Sequence, residues 1–346
     1  YLTADEQEVT VEYNETAEVA FENIEKTGEI KVTKTTVGNI NVSGITFNLR
    51  GTSDSGRDID IPAVTDENGV AIFSEIPIGT YTIYEDEKTV PTAYLVADPQ
   101  NVTVTYAETK EVPIENKEKT GSITVHKTTE GQKNIEGIKF YLRGTSDSGR
   151  AIDIPATTDK DGIAKFDGVP IGTYMVIEDE ETVPYGYLVA DEKEVKVEYA
   201  QTIDETILNN EQTGTVKVHK KTADMTNVEG IRFILSGISD TGREIRIEAT
   251  TDKDGLAKFE GVPVGTYTIT EDGSTVPYGY LVADSKQVTV AYAQTVDTDM
   301  VNEKAPDTPN TGVTDNDSDG SKALCSVAII LAGAAIVMFS RKRKER

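Results

Sequence analysis

Ser122-Ile-Thr-Val-His-Lys127 alternates polar and apolar side chains, which is the period of a β-strand with one buried face. Near-copies stand 93 residues earlier, ending at Lys34, and 93 residues later, ending at Lys220. Because successive strand residues point to opposite faces, each lysine shares a face with the two apolar residues that alternate before it. The stretch therefore predicts a strand that aims a lysine at a hydrophobic core.

The same period covers most of the chain and sets the number of domains. Tyr-Leu pairs recur on it and begin at Tyr1, Tyr94, Tyr187 and Tyr280. A unit of 93 residues can bury a core of its own, whereas solenoid units of roughly 20–45 residues must stack to do so. We therefore expect three tandem domains, at residues 27–118, 119–211 and 212–304.

Residues 1–26 resemble the end of a repeat rather than a different kind of domain. The segment from Tyr1 to Tyr13 reads as a copy of the segment from Tyr187 to Tyr199. We interpret residues 1–26 as the C-terminal remnant of an upstream repeat, and the chain, which does not begin with Met, as a fragment.

Each repeat reads as a series of short strands separated by turn residues, without helical periodicity. In the second repeat the expected strands are 122–127, 138–142, 151–154, 163–166, 173–178, 187–189 and 195–209. About seven such strands predict an all-β fold of tandem antiparallel β-sandwich domains. Only a few polar residues, such as 117–120, join one repeat to the next, so we expect an extended and fairly stiff array.

Composition argues against a nucleic-acid-binding protein and against disulfide-stapled domains. The net charge of −26 argues against nucleic-acid binding, which needs clustered Lys and Arg to neutralise phosphates. An acidic, self-repelling surface that keeps the protein soluble is the simpler interpretation. The repeats contain no cysteine, because Cys325 lies in the apolar tail, so disulfides cannot staple these small domains.

Two more polar residues follow the period of the lysines. A glutamate stands 51 residues after each lysine and an asparagine 82 residues after it. Strand parity places both on the apolar face, as it does the lysine. The three sets, called the triads below, are Lys34, Glu85 and Asn116; Lys127, Glu178 and Asn209; Lys220, Glu271 and Asn302.

Buried groups of these types can form an amide cross-link between their own side chains. Burial favours the uncharged form of each ionisable group, and a neutral amine is a nucleophile. A protonated glutamate can polarise the carboxamide and shuttle protons, so that lysine Nζ attacks asparagine Cγ and expels ammonia. Spacing alone equally allows a buried Lys–Glu salt bridge beside a hydrogen-bonded asparagine. The placement of lysine on the first strand and asparagine on the last favours the cross-link.

The residues resemble the Cna protein B-type, or SpaA-type, prealbumin-like domains of Gram-positive surface proteins and pilins. The resemblance covers about residues 1–302. One departure is Pro91-Thr-Ala-Tyr94, where the other repeats have Pro-Tyr-Gly-Tyr. The matching segments of the second repeat are 120–127, 158–166, 168–174, Glu178 through Tyr187, and Asn209.

This resemblance implies a prealbumin-like or Ig-like sandwich with a Lys–Asn isopeptide bond in each repeat. It implies that Glu85, Glu178 and Glu271 are the catalysts of a reaction that occurs once per domain, so the protein would not be a turnover enzyme. No cofactor or metal is expected. Asn23 stands 93 residues before Asn116 and follows the same period, but the lysine of its triad would precede Tyr1. We therefore expect Asn23 to stay an unpaired remnant.

The carboxyl end resembles a cell-wall sorting signal of the Leu-Pro-x-Thr-Gly type. Its motif is Thr308-Pro309-Asn310-Thr311-Gly312, with Thr308 where the family has Leu. The motif and a polar spacer occupy 305–322, an apolar span 323–340, and a basic cytoplasmic tail 341–346. Sortase would cut after Thr311 and join it to peptidoglycan or a pilin subunit. The apolar span would be a transmembrane helix in the precursor, and it would anchor the protein in the membrane only before sorting. A permanent tail anchor is the alternative.

Three classes of function remain to be weighed. The first is the stalk of an adhesin or anchoring pilin on the Gram-positive cell wall, which would hold a missing upstream head that binds a host ligand. The second is a module whose repeats themselves bind a host protein or glycan, although the absence of Trp gives no aromatic platform. The third is a hydrolase. Both histidines are expected to face outward and the sequence offers no pair of nucleophile and base, which argues against this class. The stalk fits best.

Overall fold

The computed structural model describes residues 1–131, 133, 135–226 and 228–306. The expected sorting motif, apolar span and basic tail lie outside the described residues, apart from the first residues of the spacer. Among the described residues, none forms a helix with the length and hydropathy needed to cross a bilayer.

The described chain forms three β-sandwiches of seven strands each, separated by short linkers. The first contains β1 Thr27–Thr36, β2 Thr46–Thr52, β3 Asp58–Val64, β4 Val70–Pro77, β5 Gly79–Glu85, β6 Gln100–Val104 and β7 Thr109–Asn116. The second contains β8 Thr120–Thr129, β9 Lys139–Ser146, β10 Ala151–Thr157, β11 Ile163–Pro170, β12 Gly172–Glu178, β13 Lys193–Val197 and β14 Thr202–Asn209. The third contains β15 Thr213–Thr222, β16 Arg232–Ser239, β17 Glu244–Thr250, β18 Leu256–Pro263, β19 Gly265–Glu271, β20 Lys286–Val290 and β21 Thr295–Asn302. Short 3-10 turns lie at Val37–Asn39, Glu180–Thr182 and Gly273–Thr275.

Each sandwich packs a three-stranded sheet against a four-stranded one. In the first repeat the strand orders are β4-β1-β7 and β3-β2-β5-β6, and the other repeats copy them. The pairs are antiparallel except that the last strand of each repeat runs parallel to the first. The all-β sandwich prediction is confirmed, and this parallel pair is a feature that the strand pattern does not reveal.

The structure corrects the expected strands near the end of each repeat. Tyr187 makes only an isolated bridge with Glu211 and does not begin a strand. The expected long strand 195–209 is two strands, β13 and β14, which belong to different sheets. The chain turns between them at Ala200, whose φ of 57° is left-handed, and the turn packs against Gly121 so closely that a Cβ there would lie 2.5 Å from the Glu198 carbonyl oxygen.

The core of each repeat lies between its two sheets and follows the predicted alternation. In the second repeat it includes Val125, Phe140, Phe166 and Tyr174, all buried. The Tyr174 hydroxyl donates to the Pro170 carbonyl at 2.8 Å, so this buried ring keeps a hydrogen bond. Equivalent residues form the cores of the first and third repeats.

Candidate functional site

The parallel pair of first and last strands brings lysine and asparagine to the same end of the sheet. In the second repeat Lys127 lies opposite Ile207, and Thr129 lies opposite Asn209. Lys127 and Asn209 are therefore two residues out of register and share the buried face of neighbouring strands. The first and third repeats have the same register.

The glutamate reaches the lysine from the opposite sheet. It is the last residue of β5, β12 or β19, where alternation with Tyr174 and Val176 in the second repeat turns Glu178 inward. Its Oε1 lies 3.7, 3.4 and 3.0 Å from lysine Nζ in the first, second and third repeats. The lysine and glutamate side chains are at most 1% exposed in all three.

The other carboxylate oxygen, Oε2, holds the asparagine. Asparagine Nδ2 donates to it at 2.8, 2.9 and 2.6 Å in the three repeats. A backbone N–H twelve residues after each glutamate donates to the same oxygen, from Ala97 at 2.8 Å, Ala190 at 2.9 Å and Ala283 at 2.7 Å. These alanines are site residues that the sequence analysis missed, because a backbone donor leaves no side-chain signal. Their fixed spacing from the glutamate is the sequence signal that accompanies them.

The contact between lysine and asparagine differs among the repeats. In the second repeat Lys127 Nζ lies directly against Asn209 Oδ1. In every repeat Nζ also donates to a backbone carbonyl of the last strand, which is Ile114 at 3.3 Å, Ile207 at 3.1 Å or Met300 at 3.3 Å. Among the described residues, Oδ1 of Asn116 and of Asn302 is buried without a hydrogen-bond partner, and Oε1 of every triad glutamate has only the ion pair with lysine Nζ.

Burial shifts the protonation of the triad lysines. Desolvation lowers the pKa of Lys34, Lys127 and Lys220 below the ordinary value, and the nearby glutamate offsets part of this effect. A lower pKa increases the fraction of neutral amine, which is the nucleophilic form. In each triad, one carboxylate oxygen faces the lysine amine and the other faces the carboxamide nitrogen.

The remaining predicted residues lie apart from the triads. Asn23 is exposed in the segment before β1. His126 and His219 face outward, as expected from strand parity, and lie 3.2 Å from Asp204 and 2.8 Å from Asp297. No metal-binding cluster of His, Cys, Asp or Glu occurs within the described residues. The residues of the expected sorting motif lie outside them.

Solved structures with this fold include the TIE protein of Bacillus anthracis, which is 20% identical over 80% of this chain and has a TM-score of 0.58. The chain spans 51% of that protein. The major pilin subunit BcpA of Bacillus cereus is 18% identical, with 81% of this chain and 100% of that chain covered and a TM-score of 0.39. No curated protein sequence matches the chain significantly.

A family described as SpaA, prealbumin-like fold domain, matches the sequence three times, at residues 28–118, 121–212 and 214–304. Each match covers one seven-stranded sandwich and includes one complete triad. The chain belongs to the SpaA family of prealbumin-like fold domains and carries three of them in tandem.

Proposed function

We propose that the chain is the structural stalk of a Gram-positive surface adhesin or anchoring pilin, and that an isopeptide bond ties the first strand of each repeat to the last. The observation that carries the proposal is the triad itself, which recurs in three cores with the carboxyl group between the amine and the carboxamide. A structural role needs no turnover, and the bond would form once in each repeat.

The proposed reaction balances within each triad. In the second repeat a bond forms between Lys127 Nζ and Asn209 Cγ, and the bond from Cγ to Nδ2 breaks. The neutral amine at Nζ loses one proton and Nδ2 gains one, so that ammonia departs and the number of protons is conserved. Glu178 suits both transfers because Oε1 lies 3.4 Å from Nζ and Oε2 accepts from Nδ2 at 2.9 Å. The amide product removes the charges that burial would otherwise penalise.

The position of the bond determines which residues of the stalk would carry tension. Tension that enters the second repeat at Thr120 would travel along β8 to Lys127 and cross the bond to Asn209, the last residue of β14. The residues between them would carry no load. Closing a loop of this span would also stabilise the repeat by roughly 4–5 kcal/mol if it behaves like a disulfide of equal span.

The carboxyl end completes the proposal. Sortase would cleave between Thr311 and Gly312 and link Thr311 to peptidoglycan or to a pilin subunit, after transient membrane insertion through residues 323–340. This sequence motif, followed by an apolar span and a basic tail, supports a location on the cell wall.

The intact mass of recombinant residues 1–304 tests the cross-links. Each bond removes one ammonia, about 17 Da, so the chain should weigh three ammonias less than its sequence. Glu178→Ala should restore one ammonia, and proteolysis should yield a branched peptide joining Lys127 to Asn209 in the parent chain only. Glu194→Ala, an exposed glutamate of the same repeat, is the matched control and should keep all three bonds. An unmodified mass would reduce the triads to buried polar networks.

A further inference from the structure

A second periodic glutamate lies in the linkers, outside the triads. Glu25, Glu118 and Glu211 are 93 residues apart and each precedes a repeat. Their side chains are only 21%, 5% and 0% exposed. A carboxylate buried between two domains requires charged or hydrogen-bonding partners, since its desolvation is otherwise costly.

Those partners belong to the turn between the second and third strands of the following repeat. Arg150 Nη2 donates to Glu118 Oε2 at 2.8 Å, and the Ser148 hydroxyl donates to Oε1. Glu211 pairs in the same way with Arg243 and Thr241 of the third repeat. We call each pair of hydroxyl and guanidinium a carboxylate clamp, and the three clamps are Ser55 with Arg57, Ser148 with Arg150, and Thr241 with Arg243.

The linker backbone is also hydrogen-bonded to the repeats on both sides. Gln212 N–H donates to Gly186 O of the second repeat at 2.7 Å, and Gln212 O accepts from Val264 N–H of the third at 2.9 Å. Lys119 makes the equivalent bonds to Ala93 O at 2.8 Å and from Ile171 N–H at 3.0 Å. Bonds to both neighbours restrict rotation of the linker about its own axis.

The loop before the linker packs on the next repeat as well. A Cβ at Gly186 would lie 2.8 Å from Thr241 Cγ2, whereas a Cβ at Gly279, the equivalent of Gly186 in the third repeat, would meet nothing within 4 Å. Tyr187 is buried at the junction, while its counterpart Tyr280 is only half-buried. The face that Gly186 and Tyr187 form in the second repeat is therefore covered by the third repeat.

The third repeat departs from the pattern at the residue that carries the charge. Lys304 occupies the position of Glu118 and Glu211, and makes the same isolated backbone bridge, with Tyr280. Its Nζ lies 3.4 Å from Asp224 of its own repeat. A lysine here would face the guanidinium of a clamp and be repelled by it.

We propose that the carboxylate clamp is a repeat-to-repeat docking site that accepts the preceding linker glutamate and fixes the orientation of successive repeats, and that Lys304 excludes another repeat from the end of the series. The clamp lies outside the triads, so this inference does not depend on the isopeptide bonds. The partner for which the clamp is built is a second unit of the same fold that presents a linker glutamate.

Distances between spin labels on neighbouring repeats test the clamp in the full chain. Cysteines replace Lys165 and Lys258, two equivalent exposed positions, in a chain carrying Cys325→Ser. The parent chain should give one narrow distance distribution by electron double resonance. Glu211→Ala should broaden it, and Glu211→Lys should broaden it further because two cations then oppose each other.

Two controls separate loss of the clamp from loss of the fold. Lys304→Ala alters the equivalent residue at the end of the series and should leave the distribution narrow. The exchange Glu211→Arg with Arg243→Glu should narrow it again relative to Glu211→Lys. A distribution in Glu211→Ala as narrow as in the parent chain would overturn the proposal. The ammonia deficit should stay the same in every variant, so failure here is distinguishable from failure of the cross-link.

Discussion

At the scale of single residues, burial of the triad lysine predicts that the stability of each repeat depends on pH. Burial lowers the pKa of Lys127 in the fold, while the unfolded chain keeps a value of about 10.4. Between those two values the unfolded state binds more protons than the folded state, so stability rises with pH. Below the lowered pKa both states are protonated and the penalty is fully present.

This dependence can be measured in a chain that cannot cross-link, with Asn116, Asn209 and Asn302 all replaced by Ala. We expect its free energy of unfolding to increase with pH, by up to about 1.4 kcal/mol per unit for each lysine, once the pH exceeds the lowered pKa. Denaturant titrations from pH 7 to 9.5 would measure it, below the ionisation of the tyrosines. Replacing the three triad lysines by Met provides the comparison, and an unchanged slope in that chain would contradict the assignment.

At the scale of secondary-structure elements, a turn glycine holds the backbone of the triad lysine. Gly162 precedes β11 with φ of 76°, its carbonyl accepts from Lys127 N–H at 2.7 Å, and a Cβ on it would lie 2.8 Å from Lys127 O. Gly69 and Gly255 make the same close approach in the other repeats. Alanine in the left-handed region costs roughly 1–2 kcal/mol even without a clash.

We therefore expect Gly162→Ala to destabilise the second repeat and to slow the formation of its proposed cross-link, because the new methyl displaces the strand that carries Lys127. The matched control is Gly168→Ala, which has φ of 63° but would place its methyl where nothing lies within 4 Å. Denaturant midpoints and a time course of ammonia loss would be compared. Equal effects of the two substitutions would show that only backbone strain matters.

At the scale of the whole molecule, the proposed cross-links predict how the repeats respond to force. A chain pulled from its two ends should not extend through any sandwich, because the load would bypass the residues between lysine and asparagine. Glu178→Ala should release one extension, on the order of 250 Å, since each freed residue spans about 3.3–3.6 Å. Single-molecule force spectroscopy would measure it, with Glu194→Ala as the control. Extension of all three repeats in the parent chain would contradict the load path.

Much of this protein can be predicted from local patterns. The period gives the number of repeats, and strand parity places the lysine, glutamate and asparagine of each triad inside the core. Both depend only on the alternation of neighbouring side chains along an extended backbone. The same reasoning joined β13 and β14 into one strand, because the turn at Ala200 has no glycine or proline to mark it.

The tertiary structure decides which strands are neighbours. The parallel pair of β8 and β14 brings Lys127 beside Asn209, and the opposite sheet adds Glu178 with the Ala190 N–H. The carboxylate clamps likewise depend on a contact between two repeats. The sequence by itself determined which residues form the core inside each repeat, because that burial follows local periodicity. Partners across sheets and repeats depend on long-range strand pairing and turn geometry, which periodicity does not encode.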